Sequence, residues 1–160
     1  MNIRTEIKKI ENMIIDWRRD FHQYPELSFK EHRTGDVIAN ELRSMGLEPK
    51  INVGKTGVTA DLEFGDGPTI GLRADMDALP IQETSGLSFS SKNDGVMHAC
   101  GHDGHMAMLL GAAKVLTQKV DQYNGTVRFI FQPAEEGEGG ARYMIEDGCL
   151  EGLDEIYGIH

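Results

Sequence analysis

Basic residues are scarce in this chain. Its 160 residues carry 16 Lys and Arg against 26 Asp and Glu, a formal net charge of −10. Nucleic acids and anionic bilayers would both be repelled, so the sequence argues against a nucleic-acid or membrane partner. Cysteine is scarcer still, with only Cys100 and Cys149. A small secreted fold stapled by disulfides uses more, so the composition points to a reduced, cytoplasmic protein. A Cys100–Cys149 disulfide is the structural alternative for that pair. No hydrophobic run approaches the roughly 18 residues of a membrane-crossing helix. Met1 to Asp20 contains no apolar core of a secretory leader. Repeats, low-complexity tracts, linkers and a clean domain boundary are all missing. Glycine, by contrast, is plentiful, with 19 residues. Many stand beside His, Asp and Glu, which points to shaped, functional loops.

The hydrophobic periodicity outlines a mixed α/β chain. Ile7, Ile10, Ile14, Trp17 and Phe21 recur at helical spacing and predict an amphipathic helix from Thr5 to about Tyr24, ended by Pro25. A second helix is expected over Glu31–Met45, with Gly46 as its stop. Val58, Ala60, Leu62 and Phe64 alternate with polar residues as in a half-buried strand. The turn Gly65-Asp66-Gly67-Pro68 and a strand over Thr69–Ala74 complete an expected β-hairpin. Asp75–Val96 reads as loop, Asp103–Lys119 as helix and Thr126–Phe131 as strand. A short helix over Arg142–Glu146, closed by Gly148, and a strand over Glu155–Ile159 complete the pattern. The second half thus alternates strand and helix, which predicts a βαβ sheet that is at least partly parallel.

Each β-element of that series ends in polar residues. Asp75 and Asp77 follow the first, Glu135 and Glu136 the second, and His160 the third. In open α/β sheets, ligands bind beyond the carboxyl ends of the strands, so these groups are expected to converge. The densest cluster is His98-Ala99-Cys100-Gly101-His102-Asp103-Gly104-His105. Three His, one Cys and one Asp among glycines cannot all be core packing, and the donor types suit a metal. The cluster precedes an expected helix N-terminus, which favours a thiolate at Cys100. Cys149 reads as a small buried residue. Glu135 and Glu136 can divide labour between metal ligand and general base. An acidic surface turn is the plainer alternative. Gly137-Glu138-Gly139-Gly140 is no phosphate loop, because no Gly-Lys-Ser/Thr follows it.

Four segments together carry a resemblance. They are Trp17-Arg18-Arg19-Asp20-Phe21-His22-Gln23-Tyr24-Pro25-Glu26-Leu27, Arg73-Ala74-Asp75-Met76-Asp77-Ala78-Leu79-Pro80-Ile81, Met97 to His105, and Phe131-Gln132-Pro133-Ala134-Glu135-Glu136-Gly137. In this order they resemble the aminoacylase and amidohydrolase branch of the M20 metallopeptidases, which includes hippurate hydrolases and indole-acetyl-amino-acid hydrolases. The resemblance implies a three-layer αβα catalytic domain of zinc-peptidase type with a mixed sheet. It implies two divalent metal ions (Zn, Mn, Co or Ni) and a small-molecule N-acyl amino acid as substrate. Cys100 then looks like the bridging thiolate, His102 and Glu136 like ligands to one metal, and His160 like a ligand to the other. Glu135 looks like the general base. Asp75 and Asp77 would orient the site, and His98, Asp103 and His105 would support it or touch substrate.

Members of that branch are longer. In them a smaller α/β domain, which mediates dimerisation and helps cover the site, interrupts the catalytic domain, and a further His ligand follows near the C-terminus. Residues 1–160 are therefore expected to be the N-terminal portion of the catalytic domain, a possible homo-oligomer lacking the usual dimerisation domain. A metal-binding fragment without turnover, a dipeptidase of the same family, and a Cys-His nucleophilic hydrolase are the competing readings.

Overall fold

Strand β4 (Thr126–Gln132) organises the molecule, a computed structural model that describes residues 2–137 and 139–160. Met1 and Glu138, the latter within the glycine stretch singled out above, lie outside the described residues. In chain order the elements are α1 (Ile3–Gln23), α2 (His32–Ser44), β1 (Lys50–Val53), β2 (Gly57–Glu63) and β3 (Thr69–Asp75). There follow α3 (His102–Leu116), a 3-10 turn (Thr117–Gln122), β4, α4 (Gly140–Glu146) and β5 (Glu155–Gly158). The sheet runs β1-β2-β4-β3-β5. β2 is antiparallel to β4, whereas β3 is parallel to both β4 and β5. The alternation of strands and helices thus gives the partly parallel sheet that it predicts.

The expected hairpin of β2 and β3 does not form. The two strands are antiparallel, but β4 lies between them, with Glu63 and Thr69 both opposite Thr126. Burial explains the insertion. Phe129 and Phe131 are buried on one face of β4 and Ile130 on the other, so this strand needs cover on both sides. The turn at Gly65–Pro68 accordingly clasps the start of β4. Phe64 donates to Gly125, Gly125 to Gly65 and Thr126 to Pro68.

Three layers result. Trp17 and Phe21 of α1, Ile38 and Leu42 of α2, and Met106 and Leu110 of α3 pack on one face of the sheet, against Val58, Leu62, Phe129 and Phe131. On the other face Ile130 meets Met144 of α4 and Cys149. Cys149 is the small buried residue expected, and both cysteines are free thiols, so the alternative disulfide is absent. β5 is an exposed edge strand, shorter than expected by one residue. Asn2 caps α1, which begins two residues earlier than expected, its side chain accepting the Thr5 N–H at 3.4 Å.

A buried polar bridge fastens α1 to α3 and to the 81–95 loop. His22 faces Asp103 at 2.9 Å through Nδ1 and Glu83 at 3.2 Å through Nε2. Arg18 adds a 3.2 Å bond to Asp103. Burial raises the Glu83 carboxyl, but hydrogen bonds from Ser85, the Ser91 N–H and His22 outweigh it and hold the group at about 2.

Two outcomes follow from this packing. Phe129→Ala should cost roughly 3–5 kcal/mol in urea unfolding, whereas the exposed Leu87 should tolerate the same change within about 0.5 kcal/mol. Glu83 has an ordinary value of 4.5 and is lowered in the native state, so its contribution is present above pH 4.5 and lost as pH falls toward about 2. Unfolding free energies measured across that window should fall more steeply for the unaltered chain than for Glu83→Gln. Parallel slopes would contradict this assignment.

Candidate metal centre

The carboxyl ends of β4, β3 and β5 lie side by side, with Asp75 opposite Gln132 and β5 alongside β3. Asp75 ends β3, Glu135 and Glu136 follow β4, and His160 follows β5. α3 starts at His102, which brings the Cys100 loop to the same rim. The convergence that strand order predicts is therefore realised.

His102 lies at its centre and is completely buried. Its Nδ1 lies 2.8 Å from the Asp77 backbone carbonyl, an acceptor, so Nδ1 carries the proton. Nε2 is buried and has no hydrogen-bond partner among the described residues. It faces Asp75 Oδ2 at 3.6 Å, Glu136 Oε1 at 3.7 Å and Glu135 Oε2 at 3.8 Å. His160 Nε2 closes the ring, 3.6 Å from Glu135 and 3.9 Å from Asp75. One donor atom each from Asp75, His102, Glu135 and His160 falls within a 4.8 Å span, as does the set Cys100, His102 and His160.

Such a set fits a metal ion. A bare, buried imidazole nitrogen aimed at carboxylates is unsatisfied without a cation. Burial lowers the His102 pKa, but its hydrogen bonds to Asp77 and the charge of Asp75 outweigh it, and the net shift is upward. Negative charge thus dominates the site, and a divalent ion would offset it. A thiol, imidazoles and carboxylates together suit a borderline-soft divalent metal.

Asp77 lies beneath the ring. Its Oδ1 accepts the Glu135 N–H at 2.9 Å, and its Oδ2 accepts the Glu136 N–H at 3.0 Å and the Ser28 hydroxyl at 2.8 Å. Burial raises its pKa, yet the His102 side chain, these N–H groups and Ser28 bring it down to about 2. Asp75 is fixed by Arg73 at 2.8 Å and by His105 Nδ1 at 2.6 Å. Arg73 also donates to Gln132 at 2.9 Å, which holds the ends of β3 and β4 together.

Other expected residues behave differently. Asp103 turns away from the ring toward His22 and Arg18. His98 is buried, with neither ring nitrogen hydrogen-bonded, and burial lowers it to about 4. The expected thiolate at Cys100 is corrected. A hydrogen bond with Glu136, then burial and the nearby carboxylates, pushes the thiol up to about 11. In the metal-free protein the acidic ring outweighs the helix N-terminus. The sequence reading missed Glu31, whose buried carboxylate accepts the Ala134 N–H at 2.9 Å. Its place at the head of an amphipathic helix gave no signal. Arg73 had one, since residues two apart on a strand share a face.

Known proteins share this sequence and fold. The model of peptidase family M20/M25/M40 matches residues 71–160, which include every member of the ring. A thermostable carboxypeptidase of Saccharolobus solfataricus is 49% identical over 162 residues, covering 99% of this chain and 41% of its own length. An N-acyl-L-amino acid amidohydrolase of Geobacillus stearothermophilus is 47% identical over 161 residues, covering 99% and 43%. The crystal structure of a dinuclear metal-binding peptidase of the M20 family from Bacillus subtilis superposes with a TM-score of 0.92 at 49% identity. The match covers 96% of this chain and 44% of that one. The chain thus spans less than half the length of these relatives. With more than half of its residues inside the family match, and its strand ends gathered into one ring of donors, the chain belongs to peptidase family M20/M25/M40.

Proposed function

We propose that the protein hydrolyses the amide bond of N-acyl amino acids at a two-metal site, with Glu135 as general base. One observation carries the reading. Donor atoms of Asp75, His102, Glu135 and His160 converge within 4.8 Å, and Cys100 reaches the same two imidazoles. Cys100 would bridge the two ions, with His102 and Glu136 on one and His160 on the other. Asp75 and Asp77 would orient this set, and His105 would support Asp75. His98 and Asp103 fill the supporting layer. Zn, Mn, Co or Ni each suit these donors. Bound metals would supply Lewis acidity and a water of lowered pKa.

The residues of the chain then have distinct tasks. Glu135 takes a proton from the attacking water, whose oxygen bonds to the acyl carbon. The carbon–nitrogen bond breaks, and Glu135 returns the proton to the leaving amine. Asp77 holds the Glu135 N–H and so keeps the base in place through both transfers. The extent of the relatives supports reading residues 1–160 as the N-terminal portion of a catalytic domain, and the activity proposed is that of the whole protein. The carboxypeptidase names of the Saccharolobus relatives favour a second reading, cleavage of a peptide bond by the same groups. Free thiols at both cysteines accord with a cytoplasmic location.

Glu135→Gln should lower turnover by roughly 100- to 10,000-fold while metal content is unchanged. Cys100→Ser should lose metal. Elemental analysis and an N-acyl amino acid assay read the two effects separately. A metal-loaded Glu135→Gln protein of full activity would remove Glu135 from the role.

A further inference from the structure

The two glutamates of the site follow a strained residue. Ala134 is buried at φ +49°, a left-handed conformation that alanine adopts only where its surroundings enforce it. Three successive N–H groups leave this point, and each meets a buried carboxylate oxygen. Ala134 donates to Glu31 Oε1 at 2.9 Å, Glu135 to Asp77 Oδ1 at 2.9 Å and Glu136 to Asp77 Oδ2 at 3.0 Å. We propose that Glu31 is a positioning residue for the proposed metal centre, whose buried carboxylate holds Ala134 left-handed and thereby aims Glu135 and Glu136 into the ring. The inference rests on the two-metal reading above.

Glu31 has no other evident task. It stands at the N-cap of α2, where a carboxylate ordinarily accepts the first helical N–H groups, but makes no such bond. Glu26 does this instead, accepting Arg33 N–H at 3.2 Å and Thr34 N–H at 2.8 Å. Glu31 turns inward, wholly buried, and its second oxygen is fixed by the Thr56 hydroxyl at 2.6 Å. Burying a carboxylate is costly, and the burial pushes its pKa up. On the far side of the turn Gly140 donates to the Ala134 carbonyl at 3.0 Å. A Cβ at Gly140 would lie 1.8 Å from the Pro133 carbonyl oxygen, so that side is closed to any larger residue. Asp77 grips the turn from the segment after β3, and Glu31 grips it from the head of α2. Without Glu31, Ala134 is free to relax toward negative φ, and both glutamate side chains would swing with their peptide planes.

The test uses the cobalt-loaded full chain, with N-acetyl-L-cysteine as substrate probe. Glu31→Ala should lower kcat roughly 10- to 100-fold, the scale of a misplaced group. KM should stay within about threefold, the sign of an interaction made mainly in the transition state. The visible cobalt spectrum should shift as Glu136 is displaced. Glu31→Gln should restore most of both, because its amide carbonyl accepts the Ala134 N–H and its NH2 meets Thr56. A Glu31→Ala protein of unaltered spectrum and kcat overturns the proposal, as does a Glu31→Gln protein equally damaged. If Glu31→Ala does not fold, Thr56→Val decides. A several-fold loss in kcat with the same spectral shift supports the proposal, and no change overturns it. A parent chain without a cobalt–thiolate band overturns the metal-centre reading and this inference with it. A parent band that Glu31→Ala leaves unmoved overturns this inference alone.

Discussion

One buried carboxylate, Asp77, ties the site to the fold. Its backbone carbonyl accepts the Nδ1–H of His102, and its side-chain oxygens accept the N–H groups of Glu135 and Glu136. It therefore ties three elements together: the segment after β3, the first residue of α3 and the turn after β4. An isolated carboxylate in this position would be too costly to desolvate. The donors that surround it remove that cost and keep it ionised, as its lowered pKa records. The imidazole is thereby set in one tautomer, with Nε2 toward the ring of donors. This is how a neighbouring acceptor usually sets a metal-binding histidine.

The same hydrogen bonds narrow the chemistry. The N–H groups of Ala134, Glu135 and Glu136 resemble the backbone cradles that bind oxyanions, but all three are already occupied by carboxylates. A developing oxyanion finds no free donor among these three N–H groups. Positive charge at the acyl oxygen has to come from another source, which accords with a reading in which divalent ions supply it.

The residues at the strand ends were legible because two periodicities and one rule of α/β sheets suffice to find them. Asp75, Glu135, Glu136 and His160 each follow an apolar run, and the cluster around Cys100 marks itself by donor density. The separation of β2 from β3 by β4 was not legible. Two alternating strands joined by Gly65-Asp66-Gly67-Pro68 carry every local mark of a hairpin, and only the double-sided burial of β4 opens them. Glu31 was hidden for a similar reason. A charged residue before a helix reads as a cap, and its inward turn depends on Glu26 taking the capping bonds from another part of the chain. The thiol at Cys100 failed as a thiolate because the helix N-terminus is a local feature, whereas the carboxylates that oppose it come from β3 and from the turn after β4.

The place of β4 also governs how the molecule is put together. β2 and β3 come early in the chain, yet until residues 126–132 are available β2 has only the short β1 beside it and β3 has no strand partner. A tight pairing of the two would have to come apart before β4 entered. Every contact of the central strand with its neighbours is distant in sequence, so closing large loops precedes most of the energetic reward. Folding is then expected to be slow for a chain of this size, with the edges of β2 and β3 exposed in the meantime. A nascent chain halted before Phe129 would hold β3 unpaired, β2 open along one edge, and only Asp75 and His102 of the ring of donors, until the middle of its sheet arrived.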